Sequence, residues 1–432
     1  RRHLQKLGID RVVLEIADIM DFTSATESFD FVIAHGIYSW VPAEVREHLI
    51  KQISHLLQPG GLAYVSYNTY PGWSVKRTIR DFLLHMTDPE MDREARANHA
   101  ISLAQHMVSA HERFAYPRVE GLVTEAKILA QLTPEYLVHG PLAEINEPLY
   151  FNEFKSQISR LGLHYVADAE HGWITAHHPL FKEFGLSDFL EANPDRQEQT
   201  IDFLENRTFR MSILAKMPPA SGPSPARIRT LFLSGTTRAE IADHDLNSLE
   251  SIYFERLDKP SVGVDISDPV TKTLLAYLQE APGRRVSFEA ALREVRQRID
   301  VEIDEDDEVA LCESLMQLVC HGLLGLHMLC PEPLGRNRGE FLEAHPMTRY
   351  FGAHQAQVPT YTHATVKLDD VQRALLPLLD GTRTLADILA HIEPGIGGVL
   401  EHTPREQILE ALLSLDSACA LAHHAVSSRE AP

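Results

Sequence analysis

The order of short apolar runs near the start of the chain restricts the possible folds more than any other feature. Residues 12–16 and 29–34 are rich in β-branched and aromatic side chains, which is typical of buried strands. Residues 42–57 carry apolar side chains at helical spacing, and residues 62–67 form a third strand-like run. Because parallel strands need a crossover between them, this order predicts βαβ units in a parallel sheet.

A ligand of an open parallel sheet binds beyond the carboxyl ends of its strands. The segments that follow the predicted strands, residues 17–19, 35–41 and 68–73, are therefore the first candidates for a functional site. Two of them are dense in aromatic side chains and read HGIYSWVP at 35–42 and SYNTYPGW at 66–73.

Weaker motifs accompany these segments in a fixed order. Asp18 follows the first predicted strand, Phe29 and Asp30 open the second, LQPGG precedes the third, and EINEPLYF at 144–151 and NRTFR at 206–210 come later. In order and spacing, these motifs resemble class I S-adenosylmethionine-dependent methyltransferases that carry an attached methyltransferase regulatory domain. That group includes bacterial lysine methyltransferases that act on outer-membrane proteins.

The resemblance implies the α/β fold class, with a partial Rossmann-like methyltransferase sheet and a helical insertion, followed by mostly α winged-helix-like modules. It also implies S-adenosylmethionine as the cofactor. Asp18 takes the position that holds the adenine amino group, and Ile19 flanks the ring. Ala34, His35 and Gly36 face the methionine part of the cofactor. Asp18 as a cap of the following turn, and His35 as a packed surface residue, remain open alternatives.

The predicted catalytic residues are Tyr38, Trp40, Asn68 and Trp73. Aromatic faces attract cations, and both a sulfonium and a lysine side chain are cationic. An apolar slot lowers the pKa of an amine, and the carbonyl oxygen of Asn68 could orient that amine. The alternative is that the aromatic side chains are ordinary core packing.

The resemblance further implies a glycine-rich cofactor loop and a ribose-binding acid, and we expect both upstream of Arg1. The chain opens within a helical pattern and without an initiator Met. We therefore expect this chain to bind the cofactor weakly, or not at all, without those residues.

The remaining sequence divides by pattern into successive regions. Their predicted bounds are 1–85 for the partial methyltransferase core, 86–145 for a helical insertion that acts as a lid or dimer contact, 146–215 for the return to the core, 216–260 for a linker and connector, and 261–335 and 345–426 for two winged-helix-like modules. Four prolines between residues 218 and 225 mark the linker, and a second break falls at 330–335. The two modules repeat one pattern of apolar helices.

Charge and cysteine content limit the possible partners. The chain has 61 acidic and 40 basic residues, and its net charge of −21 disfavours nucleic acid and membranes as partners. Four cysteines without a CxxC pair favour a reducing, cytoplasmic location. The histidines at 171, 177–178 and 423–424 lack ligand spacing, so no metal is expected, and the acidic run 304–308 suits the first turn of a helix.

These observations favour a methyltransferase that modifies protein lysine side chains and forms a homodimer. Two alternatives remain at this point. One is a non-catalytic regulatory or binding protein whose winged-helix modules recognise protein or DNA. The other is a methyltransferase that acts on a small molecule.

Overall fold

The computed structural model describes residues 2–24, 26–115, 117–169, 179–218, 224–241, 244–280, 284–329, 341–360, 365–391 and 405–417. The chain divides into two compact units. We call Ile16–Gly222 the sheet unit, and we call Arg1–Glu15 together with Pro223–Pro432 the module unit. The predicted break at 330–335 and the histidines at 171, 177–178 and 423–424 lie outside the described residues.

A short helix, α1 (Arg2–Lys6), belongs to the module unit, and the elements of the sheet unit follow it. They are β1 (Phe29–Ala34), α2 (Ala43–Leu56), β2 (Leu57–Asn68), α3 (Trp73–Met86), α4 (Arg93–Phe114), α5 (Glu120–Leu129), α6 (Pro134–His139), α7 (Phe151–Arg160), β3 (His164–Asp168), α8 (Pro179–Glu183), α9 (Ser187–Ala192), α10 (Gln197–Leu204) and β4 (Phe209–Ala215). A 3-10 turn, Tyr38–Trp40, follows β1.

The four strands form one mixed sheet in the order β1–β2–β4–β3. β1 and β2 are parallel and joined by α2, which confirms the predicted βαβ unit. β4 runs antiparallel to both β2 and β3, so two strands from the stretch 146–215, which was predicted to return to the core, belong to the sheet. The α/β fold class is therefore confirmed. Side chains of α2 and α7 pack with β2 and β4 into one hydrophobic cluster; its members include Ile50, Ile53, Val65, Phe154, Ile158 and Leu214.

Two local predictions about strands were wrong. Residues 12–16 form no strand, and the side chain of Ile16 is fully exposed. A β-branched run becomes a strand only where a neighbouring strand pairs with it, and none of the described strands pairs with these residues. The third strand starts before its predicted bound of 62, because the LQPGG motif at 57–61 is the irregular start of β2. Its pairing jumps from Phe29 with Leu57 to Phe31 with Leu62, so the intervening residues bulge.

The helices α3 to α6 form a layer with its own hydrophobic cluster. Ile79 and Leu83 of α3 pack against an alanine stripe of α4 and against residues of α5 and α6. The insertion predicted at 86–145 therefore has a partner outside its bounds, because α3 begins at Trp73. Because α3 begins shortly after the carboxyl end of β2, the helical layer lies next to that end of the sheet.

The module unit contains the remaining elements. They are β5 (Phe232–Gly235), β6 (Thr237–Arg238), β7 (Ile252–Arg256), β8 (Gly263–Ile266), α11 (Pro269–Gln279), β9 (Val286–Ser287), α12 (Phe288–Arg298), α13 (Glu305–Cys320), β10 (Leu324–His327), β11 (Phe341–Glu343), α14 (Pro346–Gly352), β12 (Gln357–Pro359), β13 (Thr365–Lys367), α15 (Asp370–Leu375), β14 (Asp380–Thr384), α16 (Leu385–His391) and α17 (Arg405–Ser417).

The stretch predicted as a connector, 216–260, includes paired strands. β5 pairs with both β9 and β10, and β7 pairs with β6 and β8. This stretch is therefore part of the fold of the module unit rather than a linker alone. Aspartates cap two helices of this unit: Asp268 accepts from the backbone N–H of Thr271 in α11, and Asp369 accepts from that of Gln372 in α15.

Acidic residues also begin α13, as predicted. Asp304 accepts a hydrogen bond from the backbone N–H of Asp307, and the residues at 305–308 form the first helical turn. Negative charge there is favourable because the amino end of a helix is positively polarised. Among the helices that the structure describes, none combines the length and the apolar character that a membrane span requires.

A buried ion network lies where β4 meets α10. The fully buried guanidinium of Arg210 bonds both carboxylate oxygens of Asp202, and Nη1 donates to Glu198 Oε2 at 2.9 Å. The same guanidinium lies 4.2 Å from the centroid of the Phe151 ring. Burial raises the pKa of Asp202 to about 6, although the charges of Arg210 and Arg207 oppose the shift. Three elements, β4, α7 and α10, therefore meet at one guanidinium.

We expect Arg210→Met to lower the free energy of unfolding by about 3–5 kcal/mol, because it leaves buried Asp202 without its main partner. Arg77→Met is the matched control. Arg77 pairs with Asp81 on an exposed helix face, and its loss is worth less than about 1 kcal/mol. Denaturant titrations followed by circular dichroism measure both changes. Equal effects of the two variants would contradict the assigned role of Arg210.

The raised pKa of Asp202 predicts a pH dependence. The folded state favours the protonated carboxyl, so this contribution to stability is complete below about pH 4 and is lost as the pH rises through about 6. The stability advantage of the wild-type chain over Asp202→Asn should therefore shrink by roughly 2–3 kcal/mol across that interval. Unfolding titrations at several pH values test this, and an advantage that grows with pH would refute it.

Candidate functional site

Two adjacent strand ends, those of β1 and β2, are tied together by Ser66. Its hydroxyl oxygen accepts a hydrogen bond from the backbone N–H of Gly36 at 2.9 Å and lies 3.0 Å from Nδ1 of His35. Tyr64 contributes a second contact, 3.1 Å from its hydroxyl to the same ring nitrogen. Gly36 has a φ of +70°, and a Cβ added there would meet nothing within 4 Å. The strand end thus requires glycine for its backbone and leaves open space beside it.

Asn68 ends β2 and is held on two sides. Its backbone N–H donates to Ser39 Oγ at 2.9 Å, and its side-chain Nδ2 donates to Asn146 Oδ1 at 3.1 Å. These bonds set the orientation of the amide, so that the carbonyl oxygen Oδ1 is the group available to a ligand. Asn146 Nδ2 and Trp73 Nε1 are buried donors without an acceptor among the described residues. Buried donors without acceptors are costly, and a ligand oxygen would satisfy them.

The start of α3 touches the segment that leads into β4. The backbone N–H of Gly72 donates to the carbonyl oxygen of Arg207 at 3.0 Å, and a Cβ at Gly72 would lie 2.1 Å from the carbonyl oxygen of Asn206. Only glycine fits at this point. Phe209 follows this segment at the start of β4 and pairs with Asn68 across β2 and β4.

These groups surround a cavity of about 450 Å³. The carboxyl ends of β1 and β2, the helices α3, α5 and α6, and the segment at 140–146 contribute to its wall. The lining residues are His35, Gly36, Trp40, Asn68, Trp73, Lys76, Ile79, Arg80, Glu125, Ile128, Leu129, Leu132, Tyr136, Gly140, Pro141, Asn146, Thr208 and Phe209. A mostly apolar wall with a few convergent polar groups is typical of ligand sites of this size.

Charged groups of the cavity are held by specific contacts. Lys76 Nζ donates to Glu125 Oε2 at 2.7 Å and lies 5.7 Å from the centroid of the Trp73 ring. Arg80 donates to the carbonyl oxygen of Glu144 at 3.2 Å, and burial lowers the pKa of its guanidinium. Arg80 therefore fastens the segment that carries Asn146 to α3.

The cavity brings together five of the nine predicted site residues, namely His35, Gly36, Trp40, Asn68 and Trp73. Asp18, Ile19, Ala34 and Tyr38 do not line it. Asp18 is exposed, and its Oδ1 accepts from the N–H of Met20 at 2.9 Å, so it caps the turn as the alternative predicted. Ile19 and Ala34 belong to the hydrophobic cluster on the sheet.

Tyr38 lies in the core of the sheet unit and is 1% exposed. Its hydroxyl donates to Gln157 Oε1 at 2.6 Å, and its ring packs edge-on against Phe154. Burial raises the pKa of this hydroxyl to about 12. The geometry places Tyr38 in ordinary core packing, the alternative left open for the aromatic residues, because the 3-10 turn directs Tyr38 inward and Trp40 to the cavity.

Sequence reasoning did not predict thirteen of the eighteen cavity residues as site residues, and four of these are informative: Asn146, Phe209, Lys76 and Glu125. Asn146 and Phe209 stand within motifs that carried the family resemblance, EINEPLYF and NRTFR, so a signal for them existed. Lys76 and Glu125 lie in the helical layer, on α3 and α5. Neither belongs to a motif, and only the packing of the two helices brings them into contact.

Two family models match parts of the chain. Residues 133–216 match a predicted methyltransferase regulatory domain, and residues 343–396 match the C-terminal winged helix domain of PKMT. The first match includes Asn146 and Phe209 of the cavity wall. The second lies within the predicted module at 345–426 except for its first two residues.

Sequence relatives and solved structures agree with these two domain matches. An uncharacterized protein of Rickettsia prowazekii is 26% identical over 411 residues, which covers 91% of this chain and 73% of the relative. A second protein of that organism is 32% identical over 154 residues, 36% of this chain and 62% of the relative. The structure of PKMT2 from Rickettsia typhi in complex with AdoHcy superimposes with a TM-score of 0.82 at 21% identity, covering 98% of this chain and 86% of that one. The fold is shared, and the predicted resemblance to class I methyltransferases with a regulatory domain is confirmed.

The different positions of Tyr38 and Trp40 predict opposite effects of substitution. Tyr38→Phe should lower the free energy of unfolding by about 1 kcal/mol, because it removes the buried hydrogen bond to Gln157. It should leave ligand binding in the cavity unchanged. Trp40→Phe should weaken binding with little effect on stability. Thermal unfolding and calorimetric titration with S-adenosylhomocysteine separate the two, and reduced binding in Tyr38→Phe would show that Tyr38 belongs to the site.

Proposed function

We propose that this chain is an S-adenosylmethionine-dependent methyltransferase that modifies lysine side chains of proteins. The observation that carries the proposal is the cavity at the carboxyl ends of β1 and β2, where Gly36, Asn68 and Trp73 meet. Open parallel strands bind ligands at this edge. The regulatory and winged-helix domain matches support the proposal, and so does the fold shared with PKMT2, which was solved with AdoHcy.

The residues present fit a ligand such as S-adenosylmethionine. Gly36 leaves open space beside the strand end, and the buried donors Asn146 Nδ2 and Trp73 Nε1 lack acceptors among the described residues. The aromatic faces of Trp40 and Trp73 suit a cationic sulfonium. We propose that His35 and Gly36 face the methionine part. In this proposal Oδ1 of Asp18 accepts the hydrogen bond from the backbone N–H of Met20, and Oδ2 accepts one from the adenine amino group.

When bound, the cofactor supplies the activated methyl group, and the chain positions the acceptor amine. Asn68 Oδ1 can accept a hydrogen bond from the amine, because the Asn68 Nδ2 is already committed to Asn146. Trp40, Trp73 and Phe209 exclude water from the slot. A dry slot favours the neutral amine, which is the form that can attack, and the amine loses its proton to solvent before transfer. Positioning and desolvation thus account for the chemistry that the side chains must perform.

Asn68→Ala should lower kcat/KM for methyl transfer to a lysine-bearing protein by about 10²-fold, because the amine loses its oriented acceptor. Binding of S-adenosylmethionine should change by less than about threefold. Asn98→Ala, an exposed position on α4, is the matched control and should match the wild-type chain in both measurements. Mass spectrometry of the substrate protein and calorimetry with the cofactor give the two readouts.

Three outcomes would alter the proposal. Absence of S-adenosylmethionine binding to a protein that includes the cofactor loop expected upstream of Arg1 would overturn the methyltransferase assignment. Binding without any methyl mass increment on protein lysine would overturn the acceptor class and leave a small-molecule acceptor. Full transfer by Asn68→Ala would show that another group orients the amine.

A further inference from the structure

A lysine of the chain itself already lies inside the proposed acceptor cavity. Lys76 projects from α3 with 27% of its side chain exposed, and its partner Glu125 on α5 is 19% exposed. Nζ of Lys76 is 2.7 Å from Glu125 Oε2 and lies against the face of Trp73 at 5.7 Å from the ring centroid. The ion pair therefore stands in a largely desolvated wall rather than on the surface.

Glu125 is the one carboxylate among the described residues that line the cavity. The other charged groups there are cationic, Lys76 and Arg80. Arg80 is committed to the carbonyl oxygens of Ala143 and Glu144, so it does not neutralise Glu125. Tyr136 adds a hydroxyl from α6. Lys76 is therefore the internal cation that satisfies the carboxylate.

An aromatic face beside a carboxylate, within an apolar wall, is a site for an alkylammonium group. The ring attracts the cation electrostatically, the carboxylate accepts a charge-assisted hydrogen bond, and low water access strengthens both interactions. Two ammonium groups at one carboxylate would repel each other at close range. A second lysine can thus occupy this place only when the first has left it.

We propose that Trp73 and Glu125 form a cation subsite for the lysine ammonium of a protein substrate, and that Lys76 is its internal occupant. The substrate lysine displaces Lys76 from Glu125 before it loses its proton and reaches Asn68. The identity of the ligand rests on the proposed function, whereas the subsite itself rests on the contacts of Trp73, Lys76 and Glu125. Competition by Lys76 weakens binding of any basic side chain that enters.

The test uses Nα-acetyl-lysine methylamide as the probe, without cofactor, and calorimetry as the readout. Lys76→Met keeps the length of the side chain and removes the internal cation, so the probe should bind about tenfold more tightly than to the wild-type chain. The double variant Lys76→Met/Glu125→Gln should lose that gain, because the amide has no charge to offer the probe. The neutral probe Nα-acetyl-norleucine methylamide should show no gain with either variant.

Lys51→Met is the matched control. Lys51 pairs with Glu47 at 2.5 Å on an exposed face of α2, where both side chains are more than half exposed. Removing this cation should leave the affinity for the probe unchanged. Unchanged affinity in Lys76→Met, or a gain that survives in the double variant, would overturn the subsite.

A second measurement needs no substitution. In the wild-type chain, saturation with the probe must release Lys76 from Glu125, so the NMR signal of the Lys76 side-chain amine should shift. A signal that stays constant at saturation would also overturn the subsite. The outcomes are separable from the proposed function, because tight probe binding by Lys76→Met without methyl transfer would keep the subsite and remove the activity. Methyl transfer to a protein lysine, combined with unchanged probe affinity in Lys76→Met, would keep the activity and remove the subsite.

Discussion

The guanidinium of Arg210 is the constraint on which the rest of the sheet unit depends. A buried cation is tolerable only when every donor has a partner, and Arg210 takes its partners from α10 while it stacks on Phe151 of α7. Because Arg210 belongs to β4, these contacts hold β4, which lies between β2 and β3, against α7 and α10. Phe209, the neighbouring residue, is thereby aimed from the opposite face of the strand into the cavity.

The cavity is assembled from parts of the chain that are far apart in sequence. The strand ends supply Gly36 and Asn68, the segment before α7 supplies Asn146, and the helical layer supplies Lys76 and Glu125. The ion pair of this layer places a carboxylate and an ammonium group in a mostly apolar wall. In the proposed function, this charge discriminates among the side chains that enter the cavity.

The sequence predicted the parts that follow from local pattern. Strand and helix periodicity gave β1, α2 and β2, and the rule for strand ends led to His35, Asn68 and Trp73. It failed where the outcome depends on distant neighbours. Residues 12–16 have strand-forming side chains and no strand to pair with. Tyr38 and Trp40 are alike in type and two residues apart, yet the 3-10 turn sends one ring into the core and the other to the cavity.

The close approach at Gly72 has a mechanical consequence. Its backbone meets the carbonyl oxygens of Asn206 and Arg207 without room for even one side-chain carbon. The first turn of α3 and the loop before β4 are therefore in direct backbone contact and cannot move independently. A displacement of α3 that opens the cavity would also move the loop that leads to Phe209. The α3 side and the β4 side of the cavity would therefore open together.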